Sequence, residues 1–176
     1  MHFRSAERAD LDAIMGVLAD GRAHLAALGV DQWQRGYPQR RLIERDIAQG
    51  CSYVVERDGR VAACAMVGFC GEPLYDRIDE GAWLTDSTSV DARYAVVHRV
   101  CVAADCRGRG VAGFLMSSIE ELARERGFES VRIETHPGNA PMRRLLERCG
   151  YAACGYTLIE HAEGGTPRRI AYEKLL

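Results

Sequence analysis

The chain has 176 residues, 47% of them apolar, which is enough for one well-formed core and short for two, so a single domain spanning 1–176 is expected. Its 23 basic and 25 acidic residues leave a formal net charge of -2, which gives no electrostatic basis for non-specific nucleic-acid binding and points to small-molecule or local protein contacts. The seven cysteines are odd in number, never spaced C-x-x-C and mostly set in apolar runs; with no signal-like start and no run of eighteen apolar residues, they suggest free thiols in a cytoplasmic protein off the membrane.

In chain order, a short strand near Phe3 and Arg4 precedes apolar residues at Leu11, Ile14, Met15, Leu18 and Leu25, the spacing of one helical face, with Gly16, Gly21 and Gly29 expected to weaken or break that helix. The polar, aromatic stretch DQWQRGYP leads into RRLIERDIAQG, a second helical region closed by Gly50. Ser52–Arg57 and Arg60–Phe69 read as a hairpin joined by Asp58-Gly59, a strong turn signal. Residues 70–93 form a long irregular segment carrying Trp83. Then follow a strand at Tyr94–Val102, a helix over about 110–126, a strand at Ser130–Thr135, a helix over about 139–149, and strands to the end. A hairpin feeding such a β-α-β-α-β unit predicts an α/β (α+β) fold with a mixed, mostly antiparallel sheet of six to seven strands and helices on both faces.

The stretch VHRVCVAADCRGRGVAGFLM runs from a strand through a glycine-rich turn directly into an amphipathic helix. Such a turn binds anions: the first amides of a helix lack intrahelical partners, the macrodipole adds positive charge, and glycines let the backbone approach closely. Arg107 and Arg109 add fixed charge. Two motifs overlap here. Arg107-x-x-Gly110-x-Ala112 is one; Gly108, Gly110 and Gly113 spell G-x-G-x-x-G, with Glu134 at a suitable distance downstream for a dinucleotide site. The dinucleotide reading needs its first glycine straight after the strand, whereas Ala104 to Arg107 intervene, and too few β-α repeats follow. A plain connecting turn is the third reading, although three glycines and two arginines in seven residues exceed what a turn needs.

The segment from Val96 to Tyr151, with Arg107-x-x-Gly110-x-Ala112, Asn139-Ala140-Pro141 opening a helix and Cys149-Gly150-Tyr151 ending it, resembles the core of the GNAT superfamily of acetyl-CoA-dependent N-acetyltransferases. FRSAERADLDAI resembles that family's opening strand and helix, so the likeness covers nearly the whole chain. Asp31-Gln32-Trp33-Gln34 with Gly36-Tyr37-Pro38 resembles a bacterial subgroup of unassigned substrate. The resemblance implies acetyl-CoA as co-substrate and no metal. It implies that Gly108, Arg109, Gly110, Val111, Ala112 and Gly113, with Arg107, hold the pyrophosphate, and that the pantetheine arm pairs with Val100, Cys101 and Val102 where two central strands splay apart. Asn139 matches a position that approaches the cofactor, and it is equally a helix N-cap.

The implied reaction needs a neutral amine, and freeing a lysine-like amine of its proton at pH 7 costs roughly 4 to 5 kcal/mol without a base. Alternation along the strand puts Val96, His98, Val100 and Val102 on one face, and His98 matches a position where some family members carry a histidine; others use a glutamate where this chain has Val96. A hydrogen-bonded core histidine is the competing reading. His136 could line the same gap. Trp33, Tyr37 and Trp83 are candidate walls of an acceptor pocket, or ordinary loop packing. Leu146 stands where many members carry a tyrosine acid. The expected acceptor is the primary amine of a small molecule; a protein or peptide amine and a non-catalytic acetyl-CoA-binding regulator are the alternatives, and a homodimer stays open.

Overall fold

The structure, a computed structural model, describes residues 1–159 and 166–176; the part of the C-terminal strand reading that falls on 160–165 lies outside the described residues. Seven strands are described: β1 His2–Ser5, β2 Ser52–Arg57, β3 Arg60–Gly68, β4 Tyr94–Val102, β5 Ser130–Thr135, β6 Ala152–Leu158 and β7 Arg168–Leu175. They form an open sheet in the order β1-β2-β3-β4-β5-β7-β6. The helices are α1 Leu11–Ala27, α2 Arg40–Ala48, α3 Val111–Glu125 and α4 Ala140–Arg148. Two compact units divide the chain, Met1–Val67 with His98–Ser118 and Gly68–Val97 with Ile119–Leu176.

In the first unit β1 pairs antiparallel with β2, and β2 with β3. The hairpin turn is as expected, with Asp58 and Gly59 both at positive φ (52° and 73°), the two-residue geometry that matches strand twist. Helix α1 buries Leu11, Ile14, Val17, Leu18 and Leu25. It runs unbroken through Gly16 and Gly21, contrary to the sequence expectation. The apolar face outweighs the propensity cost of two glycines, and Gly21 is there for space: a Cβ at that position would lie 2.4 Å from the Cys101 Sγ and 3.2 Å from the Trp33 ring. All seven cysteines are free thiols.

The second unit is built on β4, β5, β7 and β6. Tyr94–Val97 pairs parallel with Ser130–Ile133, and β5 and β6 each flank β7 in antiparallel register. Its centre is a buried ion pair, Arg132 on β5 and Glu173 on β7, neither side chain exposed. Arg132 Nε donates to Glu173 Oε1 at 2.9 Å, and its other nitrogens donate to the carbonyls of Thr85 and Ser87. The guanidinium is stacked against the Tyr94 ring (3.8 Å to the centroid) and the Trp83 ring (4.4 Å). Glu173 also accepts from Ser130 Oγ at 2.6 Å and from the Leu84 amide. These bonds order the segment read as irregular, which holds one short 3-10 turn at Pro73–Asp76.

Burial opposes ionisation of Glu173, but the bonds from Ser130, Thr85 and Arg132 outweigh it and hold the carboxyl below its ordinary value of 4.5. A depressed carboxyl contributes stability that is present above its unfolded pKa and lost as the pH falls below it. Glu173→Gln is expected to cost about 3 to 5 kcal/mol, because it leaves the Arg132 charge buried without a counter-ion. Thermal melts should show Tm lower by on the order of 10 °C at pH 7. The gap should narrow as the pH drops below about 4.5.

Candidate active site

The first unit carries the turn that sequence reading singled out. After β4 the chain makes a short 3-10 turn at Ala104–Cys106, and α3 begins at Val111. Gly108 and Gly110 lie between them at φ 72° and 78°, a region that side-chain-bearing residues rarely adopt. Beyond the adjoining backbone, no atom lies within 4 Å of the place a Cβ would take at Gly108, Gly110 or Gly113. An exposed, side-chain-free backbone at the N-terminus of a fifteen-residue helix is the setting that a pyrophosphate needs, so these residues fit the phosphate chain of coenzyme A.

The two arginines differ. Arg107 turns inward: its Nη2 donates to the Asp20 carbonyl at 2.8 Å and its Nε to the Val102 carbonyl at 3.3 Å. The Asp20 carboxylate in turn accepts from the Ala104 amide at 2.8 Å, so α1 holds the turn from beneath. Arg109 is exposed and borders a surface depression with Met1, His2, Glu56, Arg57 and Asp58.

Arg99 sits at φ 55°, a local break in the extended backbone of β4 that alternation along the strand does not anticipate. His98, just before this irregularity, is half-buried, and so are Val100 and Val102. Cys101 is buried under α1, its thiol donating to the Val17 carbonyl at 3.0 Å and pushed up to about 11 by burial. Trp33 and Tyr37 share the loop before α2, their ring centroids 6.4 Å apart.

The second unit carries the remaining candidates. Asn139 caps α4, its Oδ1 accepting from the Met142 amide at 3.2 Å. His136 Nδ1 accepts from the Gly138 amide at 2.9 Å, which puts the proton of a neutral ring on Nε2; taking up another proton would first require breaking that bond. Trp83 donates Nε1–H to the Tyr75 carbonyl at 2.7 Å, and its ring lies tilted against the Tyr75 ring, centroids 5.1 Å apart. Leu146 is fully buried in α4.

Sequence reading missed Glu134 as a chemical group, having weighed it only for a dinucleotide. It lies half-buried on β5 and accepts a short hydrogen bond from the Tyr75 hydroxyl. Burial pushes Tyr75 well above the ordinary tyrosine value, and the Glu134 charge adds to this, so the phenol stays a donor. Tyr75 stands 59 positions earlier, a separation that no local spacing reveals.

An open, mostly antiparallel sheet with a glycine turn leading from a central strand into a long helix gives an α/β fold whose exposed turn has the geometry to take a phosphate. The chain belongs to the acetyltransferase (GNAT) family, whose model matches residues 16–151. It is an acetyl-CoA-dependent N-acetyltransferase. The crystal structure of a GNAT family acetyltransferase from Streptococcus agalactiae is 33% identical, with 99% of this chain and 95% of that one covered at a TM-score of 0.86. PaiA N-acetyltransferase from Thermoplasma acidophilum, in complex with coenzyme A, shares the fold at 12% identity and a TM-score of 0.70, over 99% and 98% of the two chains. Ribosomal-protein-alanine N-acetyltransferase from Brucella melitensis shares it at 22% and 0.67, over the whole of both. Comparison with curated proteins gives no match. Among the described residues no cluster of histidine, cysteine or carboxylate could hold a metal ion, and no helix is long and apolar enough to cross a membrane.

Gly110→Glu should abolish acetyl-CoA binding measured by calorimetry. It places a carboxylate where a pyrophosphate held by this turn would lie and forces an L side chain into a left-handed φ, a strain of about 1 to 3 kcal/mol that a folded domain tolerates. Unchanged affinity in a folded variant would overturn the assignment of this turn to the cofactor.

Proposed function

We propose that residues 1–176 act as one domain that moves the acetyl group of acetyl-CoA onto the neutral primary amine of a small molecule, by direct attack on the thioester. The observation that carries this reading is the open glycine turn at the start of α3. When bound there, the co-substrate supplies an activated acyl group. The chain's own residues have three tasks: to hold the phosphates, to present the amine and to take its proton.

For the first we assign the amides of Gly108 to Gly113 with Arg109 outside; Arg107 serves by bracing the turn. Val100, Cys101 and Val102 are assigned to the pantetheine arm and Asn139 to its approach. Trp33 and Tyr37 support a compact acceptor, since their loop is tied back to α1 by Gln34 Nε2 donating to the Arg22 carbonyl at 3.1 Å. Trp83 is the third aromatic residue assigned to the acceptor.

His98 is our proton acceptor, with His136 as its reserve. Glu134 is a second reading, favoured by the Tyr75 hydrogen bond, which fixes the carboxylate's orientation. A protein N-terminus is the second acceptor reading, favoured by the ribosomal-protein-alanine enzymes from Brucella melitensis and Escherichia coli that share the fold.

Thiol release from acetyl-CoA against a panel of amines, amino acids and peptides tests both readings, with products identified by mass. His98→Ala should lower turnover most below pH 8 and recover at higher pH, where more amine is already neutral. An unaltered rate at pH 7, with the loss found in Glu134→Gln instead, would transfer the role to Glu134.

Proton donation to a leaving thiolate of pKa near 8.5 is worth only about 1 to 2 kcal/mol at neutral pH, so no acid is needed to replace the absent tyrosine. Tyr151, the nearest substitute in sequence, is buried, and burial raises its pKa well above the ordinary value. The rate should therefore climb to a plateau with one apparent pKa and no alkaline fall below about pH 9. A bell-shaped profile that Tyr151→Phe abolishes would identify an acid.

A further inference from the structure

Arg99 is an arginine held in a left-handed conformation inside a strand, at φ 55°. Such a conformation costs of order 1 to 3 kcal/mol and persists only where the surroundings over-determine it. Here they do. The distortion re-aims the side chain, as bulges do, toward α2 and the loop before it. Arg99 Nη2 donates to Asp46 Oδ2 at 2.6 Å, and Nη1 donates to the Tyr37 hydroxyl at 2.9 Å. The ion pair is nearly dry, with 10% of the Arg99 side chain and 5% of the Asp46 side chain exposed.

A buried pair of this kind adds little net stability over an apolar contact of the same shape, so its use lies in fixing geometry. What it fixes is the 31–38 loop. Tyr37 is 37% exposed and has its hydroxyl on Arg99; its carbonyl accepts from Arg22 Nη2. Trp33, in the same loop, is also left-handed at φ 69°, with its ring lying against Gly21. Two left-handed residues, one of them a partner in a nearly dry ion pair, thus meet where an aromatic loop is fastened to the strand that carries His98.

We propose that Arg99 is a positioning residue for the acceptor. Anchored by Asp46, it holds the Tyr37 hydroxyl and so locks the 31–38 loop into a preset wall next to the strand segment His98–Val102. This rests on the acceptor reading given above, in which Trp33 and Tyr37 face the amine. The lock lowers the ordering cost that a mobile loop would otherwise impose on acceptor binding. The hydrogen bonds described for Arg99 go to Tyr37 and Asp46, and none goes to the glycine turn. Their loss should therefore act on acceptor affinity and leave cofactor affinity alone.

Tyr37→Phe separates these effects, since it removes one hydroxyl and leaves the Arg99–Asp46 pair in place. In the full-length protein we expect KM for the amine to rise about tenfold, the scale of one hydrogen bond to a charged group. KM for acetyl-CoA should stay within twofold and Tm within a few degrees. Hydrogen exchange should speed up over 31–38 and not over 104–113. Arg99→Lys keeps the charge but cannot bridge both partners, so it should raise the amine KM similarly. The double variant should be no worse than Arg99→Lys alone.

An unchanged amine KM in Tyr37→Phe, or equal rises in both KM values, overturns the proposal. If the wild type releases no thiol with any amine, it is the acceptor reading that fails. Exchange over 31–38 then decides the lock alone: faster exchange upholds it, and unchanged exchange overturns it.

Discussion

A guanidinium with no exposed surface must find partners inside the protein for all its N–H bonds, and in the second unit that requirement shapes the segment from Trp83 to Tyr94. Arg132 cannot be moved toward water without pulling a strand out of the sheet. The chain before β4 therefore wraps round it, giving up the carbonyls of Thr85 and Ser87 and laying two aromatic rings on its faces. Glu173 completes the arrangement by accepting from the backbone of the same segment. One ion pair thus converts a stretch with little secondary structure into a fixed element. Trp83, at the start of that stretch, donates to the carbonyl of Tyr75, whose hydroxyl orients Glu134.

The first unit solves a similar problem with a different ion pair. Asp46 and Arg99 sit at the junction of α2, β4 and the 31–38 loop, and again the charge is used for placement. Each unit therefore spends a desolvated arginine on ordering an irregular segment that carries candidate site residues. Buried charge is a poor source of stability and a good source of specificity, because its hydrogen bonds are satisfied in one geometry only.

Features set by near neighbours in the chain were legible in the sequence. The Asp58-Gly59 hairpin, the glycine turn before α3 and the Asn139 cap each depend on residues within a few positions of one another, and each was found where expected. What escaped depends on distant partners. Nothing in HRVCV announces that Arg99 stands in a left-handed conformation and donates to a carboxylate 53 positions away. Gly21 looked like a helix breaker, since its reason for being glycine is the Cys101 sulfur on another element. Glu134 was passed over for the same cause, its Tyr75 partner lying in a segment without periodicity.

Arg107 shows what motif matching omits. Counted as a residue of Arg-x-x-Gly-x-Ala, it reads as positive charge for a phosphate; in the structure its hydrogens go to the carbonyls of Asp20 and Val102. A cation bonded to backbone carbonyls still contributes its field, and that field together with burial lowers the pKa of His24 on α1. Two of its five N–H donors are committed in this way, which fixes the guanidinium against α1. In the proposed site the pyrophosphate would also meet Arg109 and the helix-terminal amides, which are rigid dipoles that need no reorganisation when the anion arrives. The family motif at this position is in this chain a brace: it ties the turn to α1 and so holds the amides of Gly108 to Gly113 in the curve that a phosphate can enter.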